Sequence, residues 1–88
     1  MTYKIVIADK ALAELAKLPK KIRRQIGNKI DQLASNPRPA GFKVLRLDKT
    51  LCRIRMGDYR IVYRIREEQV LVLVVRIGHR KEVYKRLI

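Results

Sequence analysis

Residues 51–63 read LCRIRMGDYRIVY, and the reading of this stretch decides the fold. Cys52, Ile54 and Met56 alternate with Arg53 and Arg55, the two-residue period of a strand with two unlike faces. Gly57-Asp58 follows, and glycine first in a two-residue loop suits a type II′ turn. Tyr59, Ile61 and Tyr63 then alternate with Arg60, Val62 and Arg64. With Gly57-Asp58 as the whole loop, Met56 faces Tyr59, Arg55 faces Arg60, Ile54 faces Ile61 and Arg53 faces Val62. The apolar set shares one face, and Arg53, Arg55 and Arg60 gather on the other. Like charges directly opposite each other destabilise a sheet by roughly a few tenths to 1 kcal/mol per pair. Two readings account for the tolerance. The arginines are held for an anion, or they form a solvated basic face whose stems cover apolar surface while their heads stay wet.

Outward from this hairpin, residues 2–7 (TYKIVI) read as a first strand. Asp9 is an N-cap for a short helix to about Lys17, with an apolar stripe of Leu12, Leu15 and Ala16. Leu18-Pro19 interrupts it, and a second helix runs from about Pro19 to Ala34 with Ile22, Ile26, Ile30 and Leu33 on one face. Gly27 inside it reads as close packing against the first helix, the two forming an antiparallel hairpin. Residues 35–41 (SNPRPAG) stop the helix, and 42–47 begin the next strand with Leu45 and Leu47 alternating. Asp48-Lys49 turns, and Glu67-Glu68 ends the hairpin. Residues 69–77, rich in Val and Leu, read as a central strand covered on both faces. Gly78 breaks it, and Tyr84, Leu87 and Ile88 share one face of a short C-terminal helical turn. The order β-α-α-β-β-β, with helices on one face of a mostly antiparallel sheet, makes an α+β domain.

The 88 residues, 1–88, suit a single small domain, and with 48% hydrophobic residues the chain carries enough apolar side chains to fold. The formal charge is +14, from 22 Lys and Arg against 8 Asp and Glu, a field that attracts nucleic acid, anionic membrane or an acidic protein. Cys52 stands alone, which fits a reducing, cytoplasmic compartment, and its register makes it a core thiol rather than a nucleophile. No signal peptide is visible, and no apolar run reaches the roughly 18 residues that span a bilayer, so no membrane partner is expected.

No paired carboxylates suggest general acid–base hydrolysis, the four glycines are too scattered for a phosphate loop, and one His with one Cys builds no common zinc site. No cofactor is expected. What remains is cations with tyrosines, a set suited to RNA phosphodiester cleavage, in which the ribose 2′-oxygen is the nucleophile. The protein then aligns that oxygen, stabilises the charged phosphorane and protonates the leaving 5′-oxygen. Arginine serves the second task with five fixed donors and serves proton transfer poorly. His79 is the one side chain with an unperturbed pKa near neutrality, and Tyr84 needs help to act as a base.

Four segments together resemble the RelE/ParE superfamily of type II toxin–antitoxin toxins: ALAELAKLPKKIRRQI, the NPRP loop, LCRIRMGDYRIVYRI and the closing RIGHRKEVYKRL. The resemblance covers nearly the whole chain. It implies an N-terminal strand and helical hairpin packed on a mostly antiparallel sheet, with a basic concave active face. Its RelE branch implies a metal-independent endoribonuclease that cuts mRNA in the ribosomal A site and inhibits translation. Its ParE branch implies a DNA gyrase inhibitor instead, and a non-catalytic RNA-binding domain is the third reading. The RelE-type site maps onto Arg53, Arg55, Arg60, Arg80 and Tyr84, with His79 beside Arg80 as a further proton source. Arg53 and Arg55 stand where RelE-type enzymes carry lysines, a departure that keeps the charge and weakens proton transfer. The implied partners are a RelB-like antitoxin with an acidic toxin-binding segment, the ribosome and mRNA, and operator DNA only through the antitoxin complex.

Overall fold

The structure is a computed structural model that describes residues 2–80 and 82–85, the side chains of Tyr84 and Lys85 excepted. In chain order the elements are β1 (Lys4–Ile7), α1 (Asp9–Ala16), α2 (Lys20–Gln32), β2 (Lys43–Val44), β3 (Cys52–Met56), β4 (Tyr59–Arg66), a 3-10 turn (Glu67–Gln69), β5 (Leu71–His79) and α3 (Glu82–Lys85). The five strands form one sheet in the order β1-β5-β4-β3-β2. Only β1 and β5 pair in parallel, and the other three pairs are antiparallel. The expected order holds, with the segment expected to begin a strand at 42–47 forming a separate two-residue edge strand, β2.

Alternation in β3 and β4 sorts the sheet into two faces. The first packs Cys52, Ile54, Ile61 and Tyr63, with Val72, Val74 and Ile77 of β5, against Ala11, Ile26, Ile30 and Leu33. At about 25 cal/mol per Å2 of apolar surface, each such buried Ile or Leu contributes roughly 1.5–3 kcal/mol. The helices meet the sheet side by side, α1 over β5 and α2 reaching β3. The buried Tyr63 hydroxyl donates to the Pro37 carbonyl at 2.6 Å and anchors the loop after α2. Burial pushes the Tyr63 phenol well above its ordinary pKa. On the second face, Leu51, Val62 and Val83 form a smaller cluster flanked by Leu45 and Val75. β5 is thus covered on both sides, as its continuous apolar run requires.

Several expectations need correction. Ala8, not Asp9, is the N-cap of α1. The Ala8 N–H donates to the Val74 carbonyl, which holds Ala8 extended beside β5 and makes Asp9 the first helical residue. Pro19 likewise caps α2 from outside, its carbonyl accepting the Arg23 N–H at 2.9 Å. The strand expected over 42–47 shrinks to two residues because Asp48 closes a tight loop. Its Oδ1 accepts from the Thr50 N–H at 2.9 Å and the Thr50 hydroxyl at 2.6 Å, and the Leu45 N–H donates to the Leu51 carbonyl. Leu47 is left 74% exposed rather than alternating inward. Gly78 does not break β5, which runs on to His79. Gly78 instead lies beneath α3, where a Cβ would meet Val83 Cβ at 3.5 Å, an ordinary van der Waals contact. Leu87 and Ile88 lie outside the described residues.

Gly27 is not a close-packing site, since a Cβ there meets nothing within 4 Å. Gly27→Ala should therefore stabilise the protein by about 0.5–1 kcal/mol through helix propensity alone. A urea midpoint unchanged or lowered in that variant would contradict this.

An exposed network ties the segment before β1 and the loop after α2 to the turn between β4 and β5. The Tyr3 hydroxyl donates to Glu67 Oε2 at 2.6 Å, and Arg38 Nη2 pairs with Glu67 Oε1 at 2.7 Å. The Tyr3 hydrogen bond, then that of Arg38, holds the Glu67 carboxyl below its ordinary pKa. A depressed carboxyl contributes stability above its unfolded pKa and loses it as pH falls through the folded value. Glu67→Gln should accordingly narrow the gap in urea stability between pH 7 and acid. An unaltered gap would show the network to be neutral.

Candidate active site

The hairpin register brings the basic residues together. Arg55 lies opposite Arg60, Arg53 opposite Val62, Ile54 opposite Ile61 and Met56 opposite Tyr59. Gly57 has a φ of 60°, and Asp58 stays out of the left-handed region, as a type II′ turn requires. On the next strand Gly78 lies opposite Arg60 and Arg76 opposite Val62. The second face therefore carries Arg53, Arg55 and Arg60 beside the apolar patch of Leu51, Val62 and Val83.

These arginines differ in how they are held. Arg60 is 7% exposed, and its Nη1 donates to the Gly57 and Tyr59 carbonyls at 3.3 and 3.2 Å, which folds the guanidinium over the turn. Arg53 is 8% exposed, and its buried Nη1 has no hydrogen-bond partner. Among the described residues no carboxylate pairs with it. A buried, uncompensated guanidinium costs several kcal/mol, a cost that a bound anion offsets. Arg55 is exposed at the rim. Arg64, further along β4, reaches Asp48 at 3.5 Å.

The chain after β5 returns to the same end of the sheet. The Arg80 N–H donates to the Asp58 carbonyl at 2.8 Å, which fixes the Arg80 backbone against the hairpin turn. Val83, buried on Gly78 across from Arg60, seats α3 on the second face and with it the backbone of Tyr84. The Tyr84 side chain lies outside the described residues. His79 goes elsewhere. It pairs with Tyr59 and stacks edge-on against it, ring centroids 6.0 Å apart at 78°. Tyr59 packs on the helix-side core, so the register separates His79 from Arg60 and Arg53.

Cys52 faces the helix-side core, where burial raises its thiol pKa and keeps it protonated. That is the opposite of what a nucleophile needs.

Arg76 has no part in the sequence reading. It is 8% exposed and pairs with Glu14 of α1 at 3.0 Å, while the second Glu14 oxygen accepts the Ile77 N–H at 3.1 Å. β1 ends opposite Val74, so Glu14 closes the edge that β1 leaves open on β5. The available signal was a single cation inside an apolar strand, which in a core demands a counter-ion. This clamp sets the end of β5 and hence the segment bearing Arg80.

A mixed five-stranded sheet with α1 and α2 on one face and arginines beside α3 on the other defines a small basic α+β domain. The chain belongs to the ParE/RelE toxin family: the family model described as "ParE toxin of type II toxin-antitoxin system, parDE" matches residues 5–84. It is 32% identical to "mRNA interferase toxin RelE" of Escherichia coli strain K12 over 87 residues, 96% of this chain and 92% of that protein. The toxin of the Mycobacterium tuberculosis RelBE2 toxin–antitoxin complex superposes with a TM-score of 0.81 at 29% identity, covering 91% of this chain and 100% of that one. The toxin of the intact Escherichia coli RelBE complex gives 0.77 at 30% identity, with 88% and 95% covered.

Removing the carboxylate from the Glu14–Arg76 clamp leaves a buried arginine unpaired. Glu14→Ala should cost about 3 kcal/mol in urea unfolding, the lower end for breaking a buried pair, and Glu14→Gln less. Wild-type stability in Glu14→Ala would show the clamp to be neutral.

Proposed function

We propose that this chain is a cytoplasmic, ribosome-dependent endoribonuclease that cuts mRNA in the A site and is neutralised by a cognate antitoxin. The observation that carries the reading is Arg53, buried on the second face with a guanidinium nitrogen free and no counter-ion among the described residues. The name of the Escherichia coli relative, an mRNA interferase, supports the same reading.

In this proposal the scissile phosphate sits over Arg53 and Arg60, with Arg55 and Arg80 at its rim. The ribose 2′-oxygen attacks phosphorus as its proton leaves, the P–O5′ bond breaks, and the 5′-oxygen takes up a proton. Products end in a 2′,3′-cyclic phosphate and a 5′-hydroxyl. The substrate brings its own nucleophile, so the step needs no metal-activated water. The arginines stabilise the phosphorane as charge builds on its oxygens. Tyr84 on α3 is the candidate for the proton steps. His79 is given a packing role on Tyr59, since it stands on the other side of the sheet from Arg60. The ribosome orients the message, which a small basic face with few catalytic groups does not do alone.

The +14 charge favours an acidic, RelB-like antitoxin segment, and the two structural relatives above are toxin–antitoxin complexes. Operator DNA would be met only through that complex. Among the described residues Val83 seats the four-residue α3, and displacing that helix is a route to neutralisation. A gyrase-directed toxin is the second reading, favoured by the ParE description of the matching family model.

Arg80→Ala should slow cleavage on programmed ribosomes by about 30- to 1,000-fold, the equivalent of roughly 2–4 kcal/mol of lost transition-state stabilisation. Primer extension with end-group analysis reads both rate and products. Intact message together with inhibited DNA supercoiling would replace this reading with the gyrase one.

A further inference from the structure

A cavity of about 260 Å3 opens between the end of α2 and β3, with Arg55 in its lining. Three separate segments wall it: Lys29 and Gln32 at the C-terminal end of α2, the 39–41 loop, and Ile54 with Arg55 on β3. The loop is held in shape. The Phe42 N–H donates to the Pro39 carbonyl at 3.0 Å, and Gly41 has a φ of 88°, as the third position of a type II turn requires.

The lining is chemically mixed. Ile54 and the proline loop provide apolar wall, Gln32 an amide, and Lys29 and Arg55 two cations. Among the described residues the side chains of Lys29, Gln32 and Arg55 form no hydrogen bond or ion pair. The volume falls just under the roughly 300–1,000 Å3 of sites that enclose drug-sized ligands, and suits one planar ring with its sugar. The end of α2 decides which part goes where. Its carbonyls face this end, where the Gln32 carbonyl already accepts the Asn36 N–H, and a helix C-terminus repels anions. A phosphate therefore belongs at the Lys29–Arg55 mouth and an uncharged ring inside.

We propose that this cavity is a nucleoside subsite that takes one base of the RNA strand beside the scissile phosphate, with the Gln32 amide reading the base edge. It rests on the nuclease reading and deepens it. Arg55 links the two sites, since it faces Arg60 across the hairpin and also lines the cavity. A strand whose phosphate lies on Arg53 and Arg60 has a neighbouring nucleotide within reach of Arg55. The cavity thereby supplies a nucleotide preference that a cluster of arginines on phosphate does not.

The test compares wild type with Gln32→Met, which keeps side-chain length and helix propensity while removing the amide. Ribosomes programmed with a message randomised over the cut codon and its neighbours are digested, and every cut position is sequenced. Wild type is expected to prefer one base at one position flanking the cut. Gln32→Met should flatten that preference by about fivefold, the lower end for a base-edge contact, with little change at other positions. The same profile in both proteins overturns the subsite and leaves the nuclease reading standing. Uncut message with wild type sinks both. Weakened antitoxin binding in Gln32→Met with an unaltered profile would give the cavity to the antitoxin and likewise overturn the proposal.

Discussion

The pairing of β3 with β4 across Gly57-Asp58 is the constraint on which the rest depends. Side chains in a strand alternate with a period of two, so a slip of one residue would reverse every face. Arg53 would then point into the helix-packed core, and Ile54, Ile61 and Tyr63 into the arginine site. The turn prevents that slip. Gly57 takes a φ of 60° that other residues adopt only with strain, and this conformation matches the twist of the two strands.

Two similarly buried arginines show how location divides structure from function. Arg53 and Arg76 are each 8% exposed. Arg76 has the Glu14 carboxylate at 3.0 Å, and that carboxylate also accepts the Ile77 N–H, so the pair joins α1 to β5. Arg53 has no such partner. Burial of the same face's cluster of Leu51, Val62 and Val83, of which Val62 lies opposite Arg53, offsets the cost of holding its charge in place. A guanidinium already desolvated and positioned needs little reorganisation when an anion arrives, which is what makes it effective against developing charge.

Stability is graded across the same face. β4 and β5 lie inside the sheet, with residues packed on both sides. α3 has four residues and meets the second face through Val83 on Gly78. Arg60 therefore sits on the rigid part, Arg53 and Arg55 on the neighbouring β3, and the Tyr84 backbone on the four-residue α3. In the nuclease reading this divides positioning of the phosphate from whatever the terminal helix adds, and only the second is cheaply disturbed.

Strictly local rules determined the hairpin, its register, the two helices and the basic character of one face, because alternation and turn chemistry act between near neighbours in the chain. Asp9 as a cap, Gly27 as a contact and Gly78 as a breaker failed for one reason: each residue type has several uses, and its surroundings select among them. β5 holds Ala8 extended and so takes the cap; open space at Gly27 leaves that glycine without a contact; pairing with Arg60 carries β5 through Gly78. In the site, Arg53, Arg55 and Arg60 were legible because one hairpin carries them. The separation of His79 from Arg60, the Glu14–Arg76 clamp and the cavity between Gln32 and Arg55 were not. Each depends on contacts between residues distant in sequence, and the energy of such contacts is set by burial and charge in three dimensions, which only the tertiary structure decides.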